Sequence, residues 1–430
     1  MVKLIFVLHN PPTDIIAYEE EILTLDHFDL NGKTVGLRVD FNSPLDPETG
    51  RILDDHRIRS HIPTISELEG AKLVIIAHQS RPGKKDYIPL KVHAQRLNKL
   101  IRRKVEYIDG LFDSRVKKKI KDMENGDILF LENARFYAEE TYLKGKPDIS
   151  THENSHIVKN LAPLFDYYIH DAFAAAHRAQ PTLVGFAGLI PTLAGRVMEK
   201  EIVDMGKAFN EDLENKIILL GGMKVDDSLM IASHMLQDET MDRILTTGVV
   251  GNIFLMAEGY DLGEGNRKFL ERELSDYEEW VEKAKELLKD HREKIGIPLD
   301  VVINKNGKRK GAPLDELPSE HPIFDIGLDT IVNYKAIIED SDLVVINGPA
   351  GAFEIDEFSI GTRELFRAVA ESDSFSIIGG GHSTAVVEKL DLTNKIDHIS
   401  TGGGSCINFL AGREMPGIEA LKRSKKKYYK

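Results

Sequence analysis

Thr34-Val35-Gly36-Leu37-Arg38-Val39-Asp40-Phe41-Asn42 is the stretch on which the reading of the chain turns. It is an apolar, β-branched run of strand length that stops abruptly in arginine, aspartate and asparagine. In open parallel sheets, ligands bind just beyond the carboxyl ends of the strands, so polar residues placed there are the ones to examine. Working outward, the same pattern returns. Strands are predicted over 34–40, 72–78, 105–109, 128–132 and 167–170 in the first half, and over 216–220, 243–247, 300–303, 343–346 and 376–378 in the second. Longer amphipathic segments separate them, which is the signature of parallel sheets wrapped by helices.

The ends of the two sets differ in chemistry. In the first half they read Arg38-Val39-Asp40-Phe41-Asn42, His78-Gln79-Ser80-Arg81-Pro82, Glu132-Asn133-Ala134-Arg135-Phe136, and His170-Asp171-Ala172-Phe173 followed by His177-Arg178. A surface salt bridge explains one strand-end arginine. Several on one edge suit a small ligand carrying carboxylate and phosphate, because guanidinium groups bind both in a planar, bidentate way. In the second half the ends are Gly221-Gly222-Met223-Lys224, Gly248-Val249-Val250-Gly251, Asn347-Gly348-Pro349-Ala350-Gly351 and Gly379-Gly380-Gly381-His382-Ser383. Glycine lets backbone approach a ligand closely, and helix amino termini bind phosphate, so this edge points to a nucleotide. The plainer alternative is that these glycines only make turns. No Gly-x-x-x-x-Gly-Lys-Ser/Thr motif is present, which excludes a P-loop protein.

Between the halves, Val197, Met198, Ile202, Met205 and Phe209 recur at helical spacing and predict an inter-domain helix over 193–209. A second long surface helix is predicted over 268–294. The resulting organisation is a first domain over 1–192, the helix at 193–209, a second domain over 210–397, and a closing segment at 398–430. The fold class is α/β, with two doubly wound parallel-sheet domains.

Bulk properties narrow the function. The chain has 430 residues, 42% apolar and 29% charged, enough for two or three domains with real cores. A net charge of −14 argues against a nucleic-acid surface. One cysteine, Cys406, rules out an intrachain disulfide and a cysteine zinc cage, and fits a cytoplasmic protein. No apolar run reaches the ~20 residues of a membrane span; the short one at 4–8 reads as an extra strand or an extension. The basic tail from Lys422 reads as a solvated terminus, with an acidic partner as the alternative.

The strand-end strings above, together with Asp55-His56-Arg57-Ile58-Arg59, Ala176-His177-Arg178-Ala179 and Ser400-Thr401-Gly402-Gly403-Gly404, resemble phosphoglycerate kinase, in that family's order and over nearly the whole chain. The resemblance implies that the first domain binds 3-phosphoglycerate or 1,3-bisphosphoglycerate through Asp40, Phe41, Asn42, His78, Gln79, Ser80, Arg81, Arg135 and Arg178, with Arg57 reaching the transferring group. It implies that the second domain binds ATP or ADP with magnesium through Gly221, Gly222, Lys224, Asn347, Glu354, Gly379, Gly380, Gly381 and His382, with Glu354 on the ribose. Arg57 and Lys224 are the implied catalytic residues, and the segment from Ser400 returns to the first domain. A monomer or homodimer is expected.

Three departures from the family pattern are typical of its archaeal branch. Ser228 stands where a second lysine is common, His382 replaces the aspartate usual after the triple glycine, and Gly248-Val249-Val250-Gly251 replaces a Gly-Gly-Gly-Met loop. They leave the metal ligand unassigned, since magnesium prefers oxygen to the nitrogen of His382. They also motivate an alternative, a non-catalytic sensor of a phosphorylated metabolite, which the retention of Arg57 and Lys224 opposes. A carboxylate acceptor is already ionised, so no general base is needed; His78, His177 and His382 are read as orienting groups.

Overall fold

The structure is a computed structural model that describes residues 21–46, 48–209, 213–274 and 276–429. The apolar run at 4–8 lies outside these. The described residues divide into two compact units: one takes those from 21 to 203 together with those from Glu414 onward, and the other is Asp204–Arg413.

In the first unit six parallel strands, β1 (Thr34–Arg38), β2 (Lys72–Ile76), β3 (Val105–Tyr107), β4 (Ile128–Phe130), β5 (Tyr167–His170) and β6 (Thr192–Ala194), lie in the order β3-β4-β2-β1-β5-β6. Helices cover both faces, so the strands are apolar throughout. Val35, Leu37, Leu73, Ile75, Phe130 and Ile169 pack on one side, and Val74, Ile76, Leu129, Leu131, Tyr168 and Phe186 on the other. Gly36 is required inside β1 because a Cβ there would sit 2.7 Å from the Phe165 ring. Arg38 is level with Ile76 of β2 and His170 of β5. The chain leaves β1 on one side through β2 and returns on the other at β5, so the crevice of this sheet opens beyond Arg38.

The second unit holds β7 (Lys216–Leu220), β8 (Arg243–Thr246), β9 (Ile295–Gly296), β10 (Asp300–Lys305), β11 (Lys308–Pro313), β12 (Ile323–Ile326), β13 (Leu343–Asn347), β14 (Phe375–Gly379) and β15 (His398–Ile399). Six form a parallel sheet in the order β15-β14-β13-β7-β8-β9, and β11-β10-β12 form a separate antiparallel one. The strand expected at 300–303 therefore exists but lies outside the parallel sheet. The cause is the two-residue turn Asn306-Gly307, with φ of 55° and 83°, which folds β10 back on β11.

Further expectations change. The single helix over 268–294 is two helices, Glu264–Glu273 and Tyr277–His291, parted where Leu274 is extended and Asp276 turns left-handed at φ 62°. The closing segment is also split, because 398–413 belongs to the second unit and only the chain from Glu414 returns. The basic tail is not a solvated terminus. It is the helix Pro416–Tyr428, with Ile418, Ala420 and Leu421 buried, Lys422 on Glu21 and Arg423 on Glu153, both at 2.7 Å. The helix expected over 193–209 starts later, because 192–194 is β6 of the first sheet; it is Arg196–Gly206, with Met198, Ile202 and Met205 fully buried, and the division between the units falls within it. No helix among the described residues is long and apolar enough to cross a membrane.

Candidate active site

Beyond β1 the backbone passes directly into the site. Arg38, fully buried, donates through Nε to Thr182 Oγ at 2.9 Å, and its Nη2 lies 3.0 Å from His78 Nδ1. Thr182 in turn donates its N–H to the buried Glu140 at 3.0 Å. Burial raises the Glu140 carboxyl, and the Arg38 charge opposes the rise. Burial pushes the His78 ring well below its ordinary value, Asp40 opposes this, and Arg38, Arg135 and Arg178 reinforce it. Nδ1 of this ring accepts from the Arg38 guanidinium, which positions His78 beside Asp40.

Asp40 is 5% exposed and pairs with Arg57. Burial alone would raise its carboxyl; Arg57, His78, the Asn42 N–H and Arg38 together hold it far below the carboxylate range. Asn42 accepts the Ser80 N–H on its side chain at 2.8 Å, which helps fix Ser80 in the left-handed region at φ 56°. Ser80 Oγ donates to Asp86 at 2.6 Å. These contacts bring the expected loops 40–42 and 78–81 together. Besides His78, which is 2% exposed, two of their members have fully buried side chains. Phe41 is fully buried against Phe130 and His61, and Gln79 is fully buried, where it accepts from Ser43 N and donates to Ser43 O. Their side chains brace the loops and have no surface to offer a ligand.

The cations complete this edge. Arg57 lies in the short helix His56–Ser60, whose start is set by Asp54 accepting the His56 N–H at 2.8 Å. Asp55 is engaged by Arg59 and Arg96, so Arg57 is free of both neighbouring aspartates and reaches Asp40. Arg135 donates to the Ser80 carbonyl, and Arg178 Nε lies 2.9 Å from His177 Nε2. Arg81 is exposed. Among the described residues neither Arg135 nor Arg178 pairs directly with a carboxylate. Burial, then the repulsion of Arg178 and Arg38, brings Arg135 down to about 10. Burial also lowers Arg178, with Arg38 and Arg57 adding and Asp40 opposing. Two partly buried guanidinium groups that repel one another give this edge a local excess of positive charge, which favours an anion.

In the second unit, Leu220, Asn347, Thr246 and Gly379 end their strands in register. The glycines beyond them divide into two kinds. A Cβ on Gly348, whose φ is +100°, would lie 2.2 Å from the Gly221 carbonyl oxygen, and one on Gly221 would lie 2.4 Å from the Pro349 oxygen. These glycines let two loops pack backbone on backbone. A Cβ on Gly381 would meet nothing within 4 Å. Gly381 opens the helix Gly381–Lys389, and Gly403, opening the helix Gly403–Leu410, is 3.7 Å from its N–H when a Cβ is built there. Two helix amino termini thus converge on the glycine loop, a favourable field for phosphate. Asn347 is nearly buried at the end of β13, while Glu354 and His382 are exposed. Lys224 caps the start of the helix Val225–Gln237 with a 64% exposed side chain, its Nζ 3.8 Å from Asp227.

A basic edge in one unit and a glycine-rich edge in the other can be set beside the comparisons with known proteins. The phosphoglycerate kinase family profile matches residues 25–413. The chain belongs to the phosphoglycerate kinase family. It is 48% identical to the phosphoglycerate kinase of Methanothermus fervidus over 406 residues, covering 94% of this chain and 98% of that one. It is likewise 48% identical to that of Methanosarcina mazei over 414 residues, 96% and 98% of the two. The crystal structure of phosphoglycerate kinase from Pyrococcus horikoshii OT3 superposes with a TM-score of 0.85 at 40% identity, over 95% of this chain and all of that chain. The activity is that of a phosphotransferase with a carboxyl group as acceptor, acting with a nucleotide in glycolysis.

For a phosphoglycerate kinase site, sequence reasoning missed a layer of residues behind the ligand edge: Arg38, His61, Glu140, Asp171 and Thr182. Arg38 and Asp171 stand in the strand-end strings, but nothing in those strings separates a residue facing the ligand from one buried behind it. The second helix amino terminus at Gly403 was quoted only as part of a returning segment.

Proposed function

We propose that the edge formed by Asp40, Asn42, Arg57, Arg81, Arg135 and Arg178 holds 3-phosphoglycerate or 1,3-bisphosphoglycerate, and that the edge formed by Lys224, Asn347, Glu354 and the glycines 379–381 holds ADP or ATP. The observation that carries this reading is the pair of partly buried guanidinium groups of Arg135 and Arg178, neighbours that repel one another and, among the described residues, make no direct ion pair with a carboxylate. A dianionic phosphate and a carboxylate on one small molecule would satisfy them.

In the direction of ATP formation, a terminal oxygen of ADP attacks the acyl phosphorus, the bond from phosphorus to the carboxyl oxygen breaks, and the carboxylate leaves with the electron pair. No proton moves, so catalysis is positioning and charge neutralisation. Arg57 and Lys224 supply mobile positive charge from their two units, and the converging helix termini supply fixed partial charge. Magnesium suits this donor set without a protein cage, since it commonly takes one or two carboxylates and the rest from phosphates and water. Asp227 fits that part: burial, with Asp226 next to it, raises its carboxyl, and it lies beside Lys224. When bound, the ion would spread the phosphate charge. The protein would work in the cytoplasm as a monomer or homodimer.

Arg81 grips the non-reacting end of the substrate in this reading, so its bond is made equally in the ground and transition states. Arg81→Ala should therefore raise KM for 3-phosphoglycerate by about 10- to 100-fold, the scale of losing charge-assisted hydrogen bonds, with kcat nearly unchanged. Steady-state kinetics check this, and an unaltered KM would remove Arg81 from the substrate edge.

A further inference from the structure

Asp40 is held from two directions. Its carboxylate pairs with Arg57, and its backbone N–H donates to Nε2 of His61 at 3.1 Å. An N–H can only donate, so Nε2 must offer a lone pair, and the ring proton sits on Nδ1. Nδ1 faces Asp171 Oδ2 at 2.6 Å. The other oxygen of Asp171 accepts the N–H groups of Val197 at 2.9 Å and Met198 at 3.3 Å, in the first turn of the helix Arg196–Gly206. Asp171 is fully buried, His61 is 3% exposed, and the His61 ring lies 5.7 Å from that of Phe41. The fit at the helix start is close, since a Cβ on Gly195 would be 2.2 Å from Asp171 Oδ1.

We propose that His61 and Asp171 are positioning residues for phosphoryl transfer. Asp171 fixes the His61 tautomer, and His61 fixes the Asp40 loop that aims Arg57. The inference rests on the assignment of Asp40 and Arg57 to the substrate edge. It makes one hydrogen-bonded chain of Arg57, Asp40, His61, Asp171 and the first turn of the helix that leaves the first unit. Neither residue touches substrate; each acts through Asp40.

Four variants test it: Arg57→Ala, His61→Leu, His61→Gln and Asp171→Asn. Leucine keeps the apolar contact with Phe41 but offers neither donor nor acceptor, whereas glutamine keeps one of each. Asp171→Asn puts an NH2 group against either Nδ1 or the helix N–H groups. Relieving the clash at Nδ1 drives the ring proton to Nε2, against the Asp40 N–H. His61→Leu and Asp171→Asn should lower kcat about 10- to 100-fold with KM for 3-phosphoglycerate within a few-fold, and His61→Gln should recover part of the loss. Nitrogen NMR of the ring should show the Nδ1–H tautomer in the unaltered protein and its loss in Asp171→Asn. Normal kcat in folded Asp171→Asn, or an Nε2–H ring in the unaltered protein, overturns the proposal. If Asp171→Asn does not fold, the tautomer of the unaltered protein and the order of the leucine and glutamine variants decide. Loss of kcat in Arg57→Ala alone overturns the positioning role only, while normal kcat in Arg57→Ala overturns the underlying assignment as well.

Discussion

Arg57→Ala is expected to lower kcat by roughly 10²–10³ while KM for either substrate changes little, the scale of losing one donor aimed at charge that develops during transfer. Among the described residues Arg57 is the one arginine of the substrate edge with a carboxylate partner, and that partner, Asp40, is nearly buried. Removing the guanidinium therefore has a second consequence. The buried Asp40 carboxylate loses its strongest counter-charge, so its folded-state pKa rises and the melting temperature at neutral pH falls. Arg57→Lys separates the two effects. An ammonium restores charge near Asp40 without the planar fork, so stability should return further than kcat does. Kinetics and thermal melting of the pair are the measurement, and a near-normal kcat for Arg57→Ala would remove Arg57 from catalysis.

Lys224→Ala should reduce kcat by a comparable ~10²-fold or more with hardly any change in folding. The contrast with Arg57 comes from exposure. The Lys224 side chain is 64% exposed and its single carboxylate contact, to Asp227 at 3.8 Å, is loose. Exposed substitutions of this kind usually shift stability by less than about 0.5 kcal/mol, and a domain of this size then melts within about 2 °C of the parent. Activity and melting are thus expected to part company. A large fall in melting temperature with normal specific activity would show that Lys224 is structural.

The two parallel sheets were legible because each strand is an unbroken apolar run ending in residues that no core would choose. Among the parallel strands the lost ones are β6, β9 and β15; β9 and β15 have two residues each, too little pattern to register, and β6 lies inside the stretch expected to be helix from residue 193. Other errors had signals that went unread. Asn306-Gly307 is a strong hairpin turn and should have set 300–303 apart from the parallel strands. Asp276 followed by Glu278 and Glu279 is a helix start inside what was taken for one helix. At the site, charge and glycine content identified the two edges, but burial could not be read. Phe41 and Gln79 belong to the same strings as Asn42 and Arg81 and differ in being covered. His61 carried no signal, because its importance lies in a contact with Asp171, 110 residues away.

The central claim is that this chain moves a phosphoryl group between a carboxyl oxygen and a nucleotide. The direct measurement is ATP formation by the purified protein from ADP and 1,3-bisphosphoglycerate with magnesium, with both products quantified. The account predicts ATP and 3-phosphoglycerate in equal amounts, dependence on magnesium, and loss of the signal in Arg57→Ala and Lys224→Ala. A folded protein that binds 3-phosphoglycerate but forms no ATP would contradict it.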